Sequence, residues 1–103
     1  MPRSSPLTAE KAGEKIAVEV KSFVGKSDIA NLENALGQIE LYQILLEETE
    51  PARKLYLAVH EIAFDAVFKD KDSIGHLLVE KKRIQLIVFD PQREEILQWI
   101  TEF

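Results

Sequence analysis

Residues 15–23 read KIAVEVKSF, and this stretch decides the fold. Ile16, Val18 and Val20 alternate with Ala17, Glu19 and Lys21, so in a strand of period two Glu19 and Lys21 share one face. Two residues of rise place their Cα atoms roughly 6.5–7 Å apart, near enough for both side chains to converge on one ion or one water. Burying an unpaired charge is costly. Inside an apolar run, the two charges must therefore be tied to each other, to a metal or to a function.

The rest of the chain is organised outward from this strand. Beyond Gly25, Ser27 or Asp28 is suited to accept the free amide hydrogens of a helix start, and Ile29, Leu32, Leu36, Ile39 and Leu46 follow at helical spacing. The spacing predicts a helix over about 28–49, ended by Pro51. KLYLAVH, residues 54–60, is an apolar run of strand length, so strand, helix and strand form a βαβ unit, expected to cross over with a right hand. EIAFDAVFK, residues 61–69, reads as a short helix broken at the DKD of 70–72. A second short helix, capped by Asp72 or Ser73, is expected over about 74–81 with Ile74, Leu77 and Leu78 inward. The period then changes to that of strands. Ile84 to Phe89 is one strand, Asp90 and Pro91 open a turn, and Ile96 to Ile100 return, which makes the C-terminus a hairpin. Before Lys15, residues 1–13 carry Pro2, Ser4, Ser5, Pro6 and Gly13 with no apolar period and read as a loose arm.

Composition bounds the class. The chain has 103 residues, enough for one domain with a core, and 46% apolar with 30% charged residues is ordinary for a globular protein. It has no cysteine, so neither disulfides nor thiolate metal sites are available and a reducing cytoplasmic compartment is expected. No apolar run approaches a membrane span, and MPRSSPLTAEKAG lacks the apolar core of a signal peptide. A net charge of −5 weighs against coating nucleic acid by charge alone, but not against a nuclease, whose metal site is itself acidic. Residues 27–52 hold Asp28, Glu33, Glu40, Glu47, Glu48 and Glu50 with no Lys or Arg, so the outer side of that segment is not expected to face phosphates.

As a bare string, Glu19-Val20-Lys21 is a weak pattern. Its setting, an apolar strand opening a βαβ unit and followed by a long helix bearing a Gln, is the layout of metal-dependent phosphodiester hydrolases. There a carboxylate binds Mg²⁺ and an ammonium steadies the nucleophile or the developing charge. The bland alternative is a solvated ion pair on an edge strand. Gln38 and Tyr42, four apart, share a helix face beside the apolar stripe. Gln38 is placed to hydrogen-bond the site or a substrate phosphate with Tyr42 behind it, or else the two are a surface amide and a core ring. His60 and His76 lack the partners of a helical zinc site and read as structural. Lys81, Lys82 and Arg83 form a basic run that is either a solvated turn or a phosphate contact.

Three segments together carry a resemblance: EKAGEKIAVEVKSF (10–23), DIANLENALGQIELYQILLEETEPARKLYLAV (28–59) and LIVFDPQREEILQWI (86–100). They resemble the XisH family, the excision controlling factors of the cyanobacterial fdxN element, which are similar in fold to the PD-(D/E)xK nuclease superfamily. The likeness covers about residues 9–101. It implies that Glu19 and Lys21 correspond to the (D/E)xK half of the motif, with Glu19 the metal ligand, and that Gln38 and Tyr42 resemble the Gln-x-x-x-Tyr of the following helix in RecB-like nucleases. In the family a helix and two strands precede this segment, and the strand just upstream supplies the metal-binding Asp. Residues 1–8, MPRSSPLT, hold no acidic residue, and Glu10 falls in hairpin text. A Mg²⁺ site would rest on Glu19, a strand carbonyl, substrate and water, and is expected to be weak or absent. The chain is either a shortened, catalytically impaired homologue or one whose true start lies upstream.

The expectation is a single α/β domain over 1–103, a truncated restriction-endonuclease-like core: a mixed sheet, a βαβ unit, a C-terminal hairpin. The resemblance implies a role in excising a DNA element, with DNA, an XisI-like protein and a site-specific recombinase as partners. The alternative is a non-catalytic protein-interaction module on a nuclease scaffold. The apolar edge of the first strand is expected to be covered by the N-terminal arm, by a second copy in a homodimer, or by a partner in a hetero-complex.

Overall fold

In the computed structural model, which describes residues 7–23, 25, 27–101 and 103, the chain forms in order β1 (Leu7–Lys11), β2 (Glu14–Val20), α1 (Asp28–Thr49), β3 (Lys54–His60), α2 (Glu61–Val67), α3 (Ile74–Glu80), β4 (Leu86–Asp90) and β5 (Glu95–Ile100). The strands make one mixed sheet in the order β1-β2-β3-β4-β5. β2, β3 and β4 are parallel, and antiparallel hairpin partners β1 and β5 flank them. The βαβ unit over β2, α1 and β3 and the C-terminal hairpin are those the sequence predicts.

β1 corrects the reading of 1–13 as a loose arm. Thr8 pairs with Ala17 and Glu10 with Lys15, and the strand closes on a two-residue turn, Ala12-Gly13, between Lys11 and Glu14. Both turn residues have positive φ, 51° and 86°, the combination that matches the twist of a tight hairpin. Residues 1–6 of the expected arm lie outside the described residues. β2 is therefore an interior strand, its exposed backbone edge covered by part of the segment that was expected to be loose.

All three helices lie on one face of the sheet. Ala17, Leu55, Leu57, Val59, Leu86, Val88 and Ile100 meet Leu32, Ala35, Ile39, Tyr42 and Leu46 of α1 together with Ala63, Phe64, Val67 and Val79 of the short helices. α1 is capped by the Ser27 hydroxyl, which accepts from the Ala30 amide at 3.2 Å. Ile29, expected on its inner stripe, is 52% exposed instead. α3 is rolled relative to expectation: Gly75, His76 and Val79 are buried and Ile74 and Leu77 are exposed, while Leu78 packs against the core as expected. The cause is the close approach of α3 to the end of α2, since a Cβ at Gly75 would overlap the Val67 carbonyl oxygen. His76 fills the contact as a structural residue, with Nδ1 3.0 Å from the Phe68 carbonyl, to which it donates, and its ring stacked on Phe103.

The other face of the sheet is also apolar. Ile16, Tyr56, Ala58 and Ile87 form a second cluster, against which Val18, Phe89 and Trp99 pack. Tyr56 and Trp99 meet edge to face at 5.3 Å, and the Lys11 ammonium sits 4.6 Å above the Trp99 ring. A groove of about 480 Å³ runs along this face between Val20 and Ile96, both about half exposed.

Gly75→Ala is expected to destabilise the domain by about 1–3 kcal/mol, because a methyl group driven against fixed backbone forces the two short helices apart. Urea unfolding of the variant measures this. Parental stability would show that α3 is free to shift.

Candidate functional site

Because Ala17 of β2 belongs to the core on the helix-bearing face of the sheet, Glu19 and Lys21, which share its side of the strand, are directed to that face. Glu19 follows Ala17 on that side and is only 5% exposed, whereas Val20, on the opposite side, is half exposed. The Lys21 ammonium lies 3.5 Å from Glu19 Oε2, with about a quarter of its side chain open to solvent. The ladder continues past the strand through a Lys21 amide bond to the Ala58 carbonyl at 3.0 Å, which holds Lys21 in register. The bland alternative fails on its own terms, since β2 is not an edge strand and Glu19 is not solvated.

α1 supplies the facing wall. Gln38 stands one turn from both Ala35 and Tyr42, which belong to the buried cluster containing Ala17. Its Oε1 is buried and accepts no hydrogen bond, the sole such side-chain atom among the described residues. An unsatisfied amide oxygen usually costs about 1–3 kcal/mol, so this oxygen calls for a partner such as an ordered water or a ligand group. Tyr42 is 2% exposed and works as a core residue behind it.

His60 stands apart from this layer, with Nδ1 accepting from the Ala63 amide at 3.2 Å to cap α2. Arg53, which sequence reasoning passed over, is a structural tie. Its guanidinium bonds the Ile16 carbonyl at 2.7 Å and the Ala9 carbonyl at 3.3 Å, and meets Glu50 at 2.9 Å. No local signal marks it, because its partners are backbone atoms of distant strands.

The family model for XisH protein matches residues 2–97 of the chain. The chain belongs to the XisH family. Solved relatives agree. The crystal structure of an fdxN element excision controlling factor protein from Anabaena variabilis is 38% identical, with 90% of this chain and 71% of that one covered and a TM-score of 0.79. An XisH family protein from Nostoc punctiforme is 37% identical over 90% of this chain and 72% of its own, with a TM-score of 0.80. No curated protein matches. Among the described residues of this XisH family member, no helix is long and apolar enough to cross a membrane.

The donor set bears on a cation. Among the described residues no group of three His, Asp or Glu is placed to hold a metal. Glu19 alone offers one carboxylate, a hard oxygen donor that could take Mg²⁺ only with waters and a substrate phosphate completing the shell.

Glu19→Gln removes the charge and keeps the shape. A buried carboxylate whose ion pair spans 3.5 Å is not fully compensated for lost hydration, and Lys21 can hydrate when left alone. Stability in urea is expected to hold or to rise by up to about 1 kcal/mol. A loss above about 2 kcal/mol would mark the pair as a structural brace.

Proposed function

We propose that this XisH family member is a controlling factor for excision of a DNA element, built on an endonuclease-like fold whose phosphodiester site is centred on Glu19, Lys21 and Gln38. The observation that carries the reading is the burial of Glu19 beside Lys21 on the helix-bearing side of β2, and the buried, unpartnered oxygen of Gln38 on α1 supports it. Membership of a family that includes a protein named for fdxN element excision supports it.

Each residue has a distinct task in this reading. Glu19 would hold a divalent ion with the help of water and substrate, and Gln38 would turn its oxygen to that ion or its amide hydrogens to a phosphate. Bound there, Mg²⁺ supplies Lewis-acid polarisation of the phosphoryl oxygen. Lys21, partly exposed, brings a positive charge to the developing negative charge of the phosphate. Glu19 is kept from bulk water, while Lys21 stays partly open to it. A single carboxylate is a weak anchor, so the site grips DNA and a cation together and turns over poorly. The open apolar face favours a second role alongside this one, as an interaction surface in a homodimer or a complex with an XisI-like protein and a site-specific recombinase.

Two assays test the proposal. In a reporter where recombinase-mediated excision restores a marker, supplying the chain is expected to raise excision and Glu19→Gln to remove the gain; excision indifferent to the chain contradicts the reading. The purified chain with Mg²⁺ or Mn²⁺ is expected to cleave plasmid DNA several orders of magnitude more slowly than an intact nuclease site would. Rapid cleavage abolished by Glu19→Ala would contradict the impairment.

A further inference from the structure

The basic run Lys81-Lys82-Arg83 closes α3 and turns the chain into β4, at the opposite end of the parallel strands from Glu19. There Lys82 and Arg83 line a pocket of about 210 Å³ with Gln43 and Glu40 of α1, Gln85, and the apolar floor of Ile39 and Leu55. We propose that this pocket is a phosphate-binding site, separate from the Glu19 layer. Lys82 and Arg83 would supply charge, and the Gln43 and Gln85 amides would supply directional donors.

Three observations carry this. Lys82 and Arg83 are exposed and form no ion pair among the described residues, so their charge is not spent within the fold. They are not needed to close the helix, because backbone amides already do so: Lys82 N–H donates to the Val79 carbonyl at 2.9 Å and Arg83 N–H to the Leu78 carbonyl at 2.8 Å. Finally, Lys82 sits at φ 61°, the left-handed position that follows a helix and that glycine occupies at least cost. A lysine there keeps its charge at the expense of stability, as residues at binding sites commonly do. Glu40 on the rim opposes an anion, and with two cations against one carboxylate the lining remains positive.

The left-handed lysine gives an unusually clean test. Lys82→Gly is expected to raise the melting temperature while weakening phosphate binding, so a loss of binding is not attributable to unfolding. Titrations followed by amide NMR use two probes, inorganic phosphate and a short DNA duplex, each against the parent, Lys82→Gly, Arg83→Gln and Glu40→Gln. In the parent, at least one probe is expected to shift the Lys82, Arg83 and Gln85 backbone amides and the Gln43 and Gln85 side-chain amides. Lys82→Gly and Arg83→Gln are each expected to weaken that binding about fivefold or more, and for the duplex to lower the salt slope by about 1; Glu40→Gln is expected to tighten it. Response to the duplex alone assigns the site to a nucleic-acid backbone, and response to both or to inorganic phosphate alone assigns it to a free phosphate group. Absence of pocket shifts with both probes, or binding unchanged in Lys82→Gly and Arg83→Gln, overturns the proposal. Because none of these residues belongs to the Glu19 layer, failure here leaves the excision reading standing.

Discussion

A carboxylate held out of water on the helix-bearing face of β2 is the constraint on which the rest of this structure turns. Glu19 is 5% exposed and its one cationic partner sits 3.5 Å away. That geometry compensates desolvation incompletely, and a hydrophobic residue at the same point, beside Leu57, would be buried at lower cost. The fold tolerates the charge because β2 is braced on every side. β1 and β3 complete its ladder, α1 covers the side that bears Glu19, and Arg53 ties the Ile16 and Ala9 carbonyls to the α1–β3 connection. A strand fixed this firmly can present Glu19 and Lys21 in one geometry, which is what a site needs from its scaffold.

The two faces of the sheet divide the labour. Parallel strands bury their residues on both faces and rarely leave one open. Here the helix-bearing face contains the charged layer, and the opposite face is an apolar floor of Ile16, Tyr56, Ala58 and Ile87 with Val20 and Ile96 at its margins. Charge is concentrated at the ends of the sheet: Glu19 and Lys21 toward the C-terminal ends of the parallel strands, Lys82 and Arg83 at the N-terminal ends. Glu33, Glu47 and Glu48 of α1 are exposed to solvent, so part of the negative total charge lies on the outer side of that helix.

Much of this was legible in the residues. The alternation of Ile16, Val18 and Val20 with Glu19 and Lys21 identified both the strand and the shared side of the two charges, and Ser27, the 28–49 periodicity and Pro51 bounded α1. The hairpin at the C-terminus was legible because Asp90 and Pro91 announce it, and the Asp90 carboxylate does accept the Gln92 amide at 2.9 Å. β1 was not legible. Its turn is Ala-Gly rather than Asn-Gly or Asp-Gly, and Thr8, Ala9, Glu10 and Lys11 carry no apolar alternation, since their strand is specified by pairing with β2 and not by a pattern of its own. The roll of α3 was hidden because one close backbone approach at Gly75 outweighs the side-chain periodicity of a seven-residue helix. Within the site, sequence named Glu19, Lys21, Gln38 and Tyr42, but an unsatisfied oxygen and a left-handed lysine are facts of three dimensions.

The proposed site of Glu19, Lys21 and Gln38 would take a cation together with DNA. Paramagnetic broadening by Mn²⁺ in amide NMR spectra tests it most directly, recorded with and without a short duplex. Mn²⁺ with duplex is expected to broaden Glu19, Val20, Lys21 and Gln38, weakly or not at all without duplex, and Glu19→Gln is expected to abolish the effect. Broadening confined to the acidic outer side of α1, around Glu33, Glu40, Glu47 and Glu48, or unchanged by Glu19→Gln, would contradict it.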